Sequence, residues 1–197
     1  MKVIGIVGGM GAGKSTVISI MNELQPISYI SADLIGHEIL LKGELAYKPI
    51  IEAFGKEILN DSEEIVRHKL GQAVFGDQEK VALLNAITHP IITTKIKERI
   101  DYYRKTAPGQ HIILEAALLL ESGLVDLTDV VIAIYADSST RVKRIMEREN
   151  LDEKHILKRF KVQKEWEELK AAADYVIDNG ISLESTTAQI KQLLTLL

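Results

Sequence analysis

The sequence contains no cysteine, which removes disulfides, thiolate metal sites and thiol nucleophiles together. Aromatic residues are sparse at 5%, and only 4 of the 197 residues are Pro, so no proline-rich or low-complexity tract organises the chain. Charge of neither sign dominates: 24 Lys+Arg against 28 Asp+Glu leave a formal net charge of −4. That balance argues against nucleic acid as the main partner, because phosphate neutralisation needs clustered cations. No apolar run approaches the roughly 18 residues needed to cross a bilayer, so no membrane partner is expected. Met1–Val7 is too short for a signal peptide and runs straight into glycines. The expectation is a cytoplasmic enzyme or switch. What remains is a globular composition, 46% hydrophobic and 26% charged, sufficient for one domain or one domain with an insertion.

Lys2–Val7 is a nearly continuous apolar run, the pattern of a strand buried on both faces of a parallel sheet. Ile27–Ile30, Ile112–Leu114, Val130–Tyr135 and Tyr175–Ile177 supply four further strands. Helical patterns occupy Ser15–Leu24, Ser138–Glu149, Asp152–Ala173 and Leu183–Leu196. Alternating strands and helices predict a three-layer α/β sandwich around a five-stranded parallel sheet. From Leu34 to about Thr106 no strand signal occurs, yet apolar residues recur at helical spacing, as at Val81, Leu84, Ile87, Ile91 and Ile92. Pro49 and the His89-Pro90 pair are expected to divide this stretch into several helices. It reads as an inserted helical cap. Trp166 and the tyrosines read as core or groove filler, and His37, His68, His111 and His155 as incidental.

The segment Gly8-Gly9-Met10-Gly11-Ala12-Gly13-Lys14-Ser15, followed by Thr16, fits Gly-x-x-x-x-Gly-Lys-Ser/Thr. Glycines let successive N–H groups turn inward on phosphate oxygens, and the following helix presents its positive end to the same anion. Lys14 reaches the β- and γ-phosphates, and the Ser15 hydroxyl ligates Mg²⁺. The strand and helix lie on the correct sides of the motif, which points to a nucleoside triphosphate with Mg²⁺ as cofactor.

That loop serves kinases, GTPases and mechanical ATPases alike. No Asn-Lys-x-Asp element for guanine is present. A small-molecule kinase needs a carboxylate facing the acceptor hydroxyl, an acceptor pocket, and arginines for the charge on the transferred group. Asp33, just past the second strand, is placed where open α/β sheets bind ligands. It either holds and deprotonates the hydroxyl or caps the helix beginning near Leu34. Arg141, Arg144 and Arg148 fall at i, i+3 and i+7, with Arg159 on the next helix. They form a lid or a solvated face paired with Glu147 and Glu149. Glu115, ending the third strand, either contacts Mg²⁺ through water or is an ordinary carboxylate with a hydrogen-bond partner. His89 is expected to cap or pack between helices.

These blocks together resemble the dephospho-coenzyme A kinase family over the full length. Gly8–Val17 resembles its phosphate loop, and Ser31–His37 its Asp-Ala-Asp-x-Ile-x-His block. Arg67–Leu70 with Val74-Phe75, and Leu84–Pro90, resemble two helical signatures. Leu118–Gly123 is similar to Pro-Leu-Leu-Phe-Glu-Ser-Gly; Arg144, Arg148, Arg159 and Gln163 keep the lid pattern; Ala173–Asn179 is similar to the Ala-Asp-x-Val-Ile-x-Asn ending. Departures are Ala117 for Pro, Leu120 for an aromatic, Arg141 where Gln is frequent and Glu115 where Asp is common.

The resemblance implies ATP-dependent phosphorylation of the ribose 3′-hydroxyl of dephospho-coenzyme A. It implies a P-loop core at 1–33, 108–137 and 173–197, an acceptor-binding insertion at 34–107 and a lid at 138–172. It makes Asp33, Lys14 and Arg144 the catalytic set. Gly9, Gly11, Ala12, Gly13, Ser15, Thr16, Arg148 and Asn179 join Lys14 and Arg144 around ATP, with Asn179 near the adenine. Asp33, Arg67 and His89 belong to the acceptor side, and Ser15 and Glu115 to the metal. A monomer or weak homo-oligomer is expected. Another nucleotide-like or small alcohol acceptor, or a nucleotide-binding module without catalysis, stand as alternatives.

Overall fold

The computed structural model describes residues 1–149 and 151–197, so Asn150, inside the expected lid range, lies outside the described residues. The chain divides into two compact units, Met1–Ile30 with Tyr103–Leu197, and Ser31–Tyr102.

In the first unit, β1 (Val3–Val7), β2 (Ile27–Ser31), β3 (His111–Glu115), β4 (Val130–Tyr135) and β5 (Tyr175–Asp178) form a five-stranded parallel sheet in the order β2-β3-β1-β4-β5. All five residues of β1 are buried, as its unbroken apolar run requires. Its register sets Ile6 opposite Glu115 on one side and Ile132 on the other. On one face Ile4, Ile6, Ile132 and Ile134 pack with Val17 and Met21 of α1 (Lys14–Leu24) and Ile190 and Leu193 of α9 (Leu183–Leu194). Each fully buried Ile there contributes roughly 1.5–3 kcal/mol. On the opposite face a Cβ at Gly5 would meet Leu119 and Thr128, so the backbone itself forms part of that packing surface. Strand order reverses around β1, which opens a crevice beyond its carboxyl end, where α/β folds bind ligands.

Two aspartates set the entry of neighbouring strands. The Asp129 carboxylate accepts the Val3 N–H at 2.7 Å, and Asp174 accepts the Val131 N–H at 2.8 Å. The same two residues donate their own N–H groups to the carbonyls of Val3 and Val131. Asp129→Ala leaves the Val3 donor at a half-buried strand end without its acceptor. The expected cost is about 1–2 kcal/mol, read as a melting temperature lower by about 3–6 °C.

His111 is buried and its Nδ1 accepts the Lys2 N–H at 3.3 Å. Burial, then the nearby N-terminal and Lys2 charges, lowers its imidazole pKa. The unfolded chain therefore takes up a proton at a higher pH than the folded chain. The associated stability is fully present above about pH 6.5 and falls as pH drops through that value toward the folded pKa. His111→Asn, which offers an oxygen to the same N–H, is expected to show a smaller loss of melting temperature between pH 7 and pH 5 than the parent chain.

Between β4 and β5 the first unit carries α6 (Ser138–Glu149), α7 (Glu153–Phe160) and α8 (Trp166–Ala171). The single helix expected over Asp152–Ala173 is thus two. After Phe160 the chain leaves the helix, and Glu165 opens α8 with a capping box closed by Glu168. Val142, Ile145 and Ile156 form a small core here, joined by Met10, Leu151 and Phe160.

The second unit is helical: α2 (Ala32–Glu38), α3 (Tyr47–Phe54), α4 (Arg67–Val74), and the portion of α5 (Gln78–Thr106) up to Tyr102. Pro49 falls in the first turn of α3, where N–H groups have no acceptor within the helix. The expected break at His89-Pro90 does not occur; Pro90 lies inside α5. Proline removes the bond to the Ala86 carbonyl and crowds that oxygen with its ring. Downstream of Pro90 the helix is held by buried Ile96 and Ile100. Lys95 pairs with Glu44 at 2.8 Å and Arg99 with Glu38. Among the described residues no helix is long and apolar enough to cross a membrane.

Candidate active site

In the first unit, Gly8–Gly13 leads from β1 into α1. Gly11 and Gly13 have φ of 81° and 90°, a region that side chains disfavour. α1 begins with no side-chain cap and no acidic residue in its first turn. Its leading N–H groups therefore point outward with the positive end of the helix dipole, as anion binding requires. The Lys14 ammonium donates to the Gly8 carbonyl at 3.1 Å, which folds the side chain back over the loop. Ser15 and Thr16 are exposed at the helix start, and the Ser15 hydroxyl makes no hydrogen bond to a described residue.

The loop is held from both flanks. On one, the buried Asn179 side chain donates to the Ala12 carbonyl at 2.9 Å and accepts from the Thr186 hydroxyl at 3.0 Å. Arg144 donates to the Asn179 carbonyl at 2.8 Å and to Ala12 at 3.4 Å. Arg144 thus reaches the loop. Asn179 places its side chain beneath the loop, where it fixes the peptide at Ala12. On the other flank Arg141 donates to the Met10 carbonyl at 2.9 Å, and burial lowers its pKa. Arg148, in contrast, is exposed and pairs with Glu149, which also binds Arg159 at 3.0 Å; this end of α6 is the solvated ion-paired face.

A cavity of about 220 Å³ beside Gly9 and Ala12 is walled by Arg141, Asp137 and Trp166. Trp166 stacks tilted on Tyr135 with ring centroids 4.7 Å apart, so the tryptophan lines the site as well as filling space. Asp137 caps α6; bonds from the Ser139 and Thr140 hydroxyls and the Thr140 N–H hold its carboxyl well below the usual range. Glu115 accepts the Tyr29 hydroxyl at 2.5 Å, so the hydrogen-bonded reading of this carboxylate is realised through Oε2. Among the described residues no three His, Cys, Asp or Glu converge to cage a metal.

In the second unit a separate cavity of about 530 Å³ is lined by Asp33, His37, Arg67, Asn85, Thr88 and apolar neighbours. Asp33 does not cap α2. Ser31 does, accepting the Leu34 N–H at 3.3 Å, and the exposed Asp33 carboxylate has no partner among the described residues. Arg67, first residue of α4, is exposed and lines the same cavity. His89 does not line it. His37, read from the sequence as incidental, does, together with Asn85. The spacing of Asp33, Gly36 and His37 at i, i+3 and i+4 is the signal that would have found it.

A family model for dephospho-CoA kinase matches residues 2–185. The dephospho-CoA kinase of Oceanobacillus iheyensis is 42% identical over 193 residues, covering 98% of this chain and 96% of its own. That of Carboxydothermus hydrogenoformans is 40% identical over 195 residues, covering 98% and 93%. Among solved structures, the dephospho-CoA kinase from Campylobacter jejuni superposes with a TM-score of 0.71 at 31% identity, covering 98% of this chain and 95% of its own. With a phosphate loop, an acid-bearing cavity and near-complete coverage by these relatives, the chain belongs to the dephospho-CoA kinase family.

Proposed function

We propose that the chain transfers the γ-phosphoryl group of ATP to the ribose 3′-hydroxyl of dephospho-coenzyme A, giving coenzyme A and ADP, the last step of coenzyme A synthesis. The observation that carries this reading is the second unit's cavity, which an unpartnered Asp33 and Arg67 both line. A hydroxyl and an anionic group on one acceptor match that pair.

The loop amides and Lys14 hold the β- and γ-phosphates, leaving little covalent chemistry for the protein beyond orientation and charge. The 3′-oxygen bonds to the γ-phosphorus as the bond to the β–γ bridging oxygen breaks, and that electron pair leaves with ADP. Asp33 holds the 3′-hydroxyl and takes its proton. Arg144 spreads the charge developing on the transferred group, and Arg148 supports the nucleotide from the outer end of α6. Ser15 would hold a Mg²⁺ ion with Glu115 nearby, and that ion would neutralise charge on the phosphate oxygens. Asn179 serves the nucleotide by shaping the loop, and His89 belongs to the acceptor side through helix packing. The enzyme works in the cytoplasm, as a monomer or weak homo-oligomer.

The test is ADP release by the purified chain with ATP, Mg²⁺ and a panel of acceptors. Release matched to acceptor consumption with dephospho-coenzyme A, and not with nucleoside monophosphates or small alcohols, is the expected result. Release with another acceptor would assign a different kinase, and ATP binding without release would assign a binding module.

A further inference from the structure

We propose that Arg141 and Gln163 are positioning residues that clasp the tip of the phosphate loop and keep it in its triphosphate-binding shape. Met10 is the tip, flanked by Gly9 and Gly11, and glycines give the loop no side chains of their own to hold it. The Met10 N–H donates to Gln163 Oε1 at 3.1 Å. The Met10 carbonyl accepts from Arg141 Nε at 2.9 Å. Arg141 Nη2 donates to the same Gln163 oxygen at 3.0 Å, closing a ring of three hydrogen bonds. Both peptide planes at Met10 are therefore fixed, and with them the direction of the N–H groups that follow.

The clasp is itself well supported. The Arg141 guanidinium stacks over the Phe160 ring at 4.0 Å, a favourable cation–π distance. It lies so close to Gly9 that a Cβ there would collide with it. The Met10 side chain packs into the small core of Val142, Ile145 and Ile156, so backbone and side chain are anchored together. Gln163 sits in the segment between α7 and α8, and its engagement of Met10 gives that segment a reason to leave the helix. Charge alone does not explain the arrangement, because the neutral Gln163 is the hub that both partners share.

The inference rests on the loop being the ATP site, and its test needs no acceptor. ATP binding to the full chain is measured by calorimetry, with kcat and both KM values alongside. Gln163→Met and Arg141→Met should each weaken ATP binding about tenfold, with kcat within about threefold and the KM for dephospho-coenzyme A unchanged. The double variant should also lose about tenfold, not a hundredfold, since the ring opens only once. Gln163→Glu keeps an acceptor for both donors and should stay within about threefold of the parent. Multiplicative losses in the double variant, or a silent Gln163→Met beside a damaging Arg141→Met, would overturn the clasp and make Arg141 a direct phosphate ligand. A chain that binds ATP in this clasp-dependent way but transfers nothing to dephospho-coenzyme A would sink the proposed reaction and leave the clasp standing.

Discussion

Asp33→Asn is expected to lower turnover by about three orders of magnitude while ATP affinity and melting temperature stay unchanged. Asparagine keeps the size of the side chain and can still touch a hydroxyl, but it cannot take a proton. The folded state should not notice. Ser31 supplies the cap of α2, and the Asp33 carboxylate is exposed without a partner among the described residues, so the change removes no contact. Surface changes of this kind typically stay within about 0.5 kcal/mol. Steady-state kinetics beside a thermal melt separates the outcomes. Unchanged turnover would remove Asp33 from the chemistry.

The second large effect is Gly13→Ala. Gly13 has φ of 90°, and a Cβ built there runs into the Asn179 amide. That amide is buried and committed, donating to Ala12 and accepting from Thr186, so it cannot swing aside without stranding polar groups. Backbone strain and the displaced bonds together should cost about 3 kcal/mol, or about 8 °C in melting temperature. ATP affinity should fall more than about a hundredfold, because the distorted peptide belongs to the phosphate cradle. Gly43→Ala is the control. Gly43 has a similar φ of 93°, with nothing within 4 Å of an added Cβ, so it carries the strain without the collision. A Gly13→Ala chain that binds ATP as tightly as the Gly43→Ala chain would mean the cradle tolerates that distortion.

Much of the fold was legible because its signals are local. β1 and β4 are continuous apolar runs, which only a strand covered on both faces accommodates, and the glycine loop announces its helix. The two misread helices fail for opposite reasons. Pro90 is a strong local stop signal that packing along α5 overrides, whereas the break after Phe160 is marked locally only by the Glu165–Glu168 capping box and accompanies Gln163 meeting Met10 far away in sequence. The site divides in the same way. Lys14 and Ser15 are candidates from motif spacing alone, whereas Arg144 and Arg67 are singled out only by the family resemblance. Asn179 was placed near the nucleotide, but its engagement of Ala12 from below depends on the Thr186 hydroxyl of α9, which no motif marks. Arg148 lies one turn beyond Arg144, and there it pairs at the surface with Glu149, which Arg159 shares.

The central claim, that the loop and Asp33 act on one phosphoryl group, is tested most directly by a crystal structure of the chain with a non-hydrolysable ATP analogue, Mg²⁺ and dephospho-coenzyme A. The account predicts the γ-phosphate against the amides of Gly11–Lys14 and the ribose 3′-oxygen within about 2.6–3.2 Å of the Asp33 carboxylate, in line with the γ-phosphorus. A ribose bound elsewhere, with Asp33 facing solvent while both substrates are in place, would contradict it.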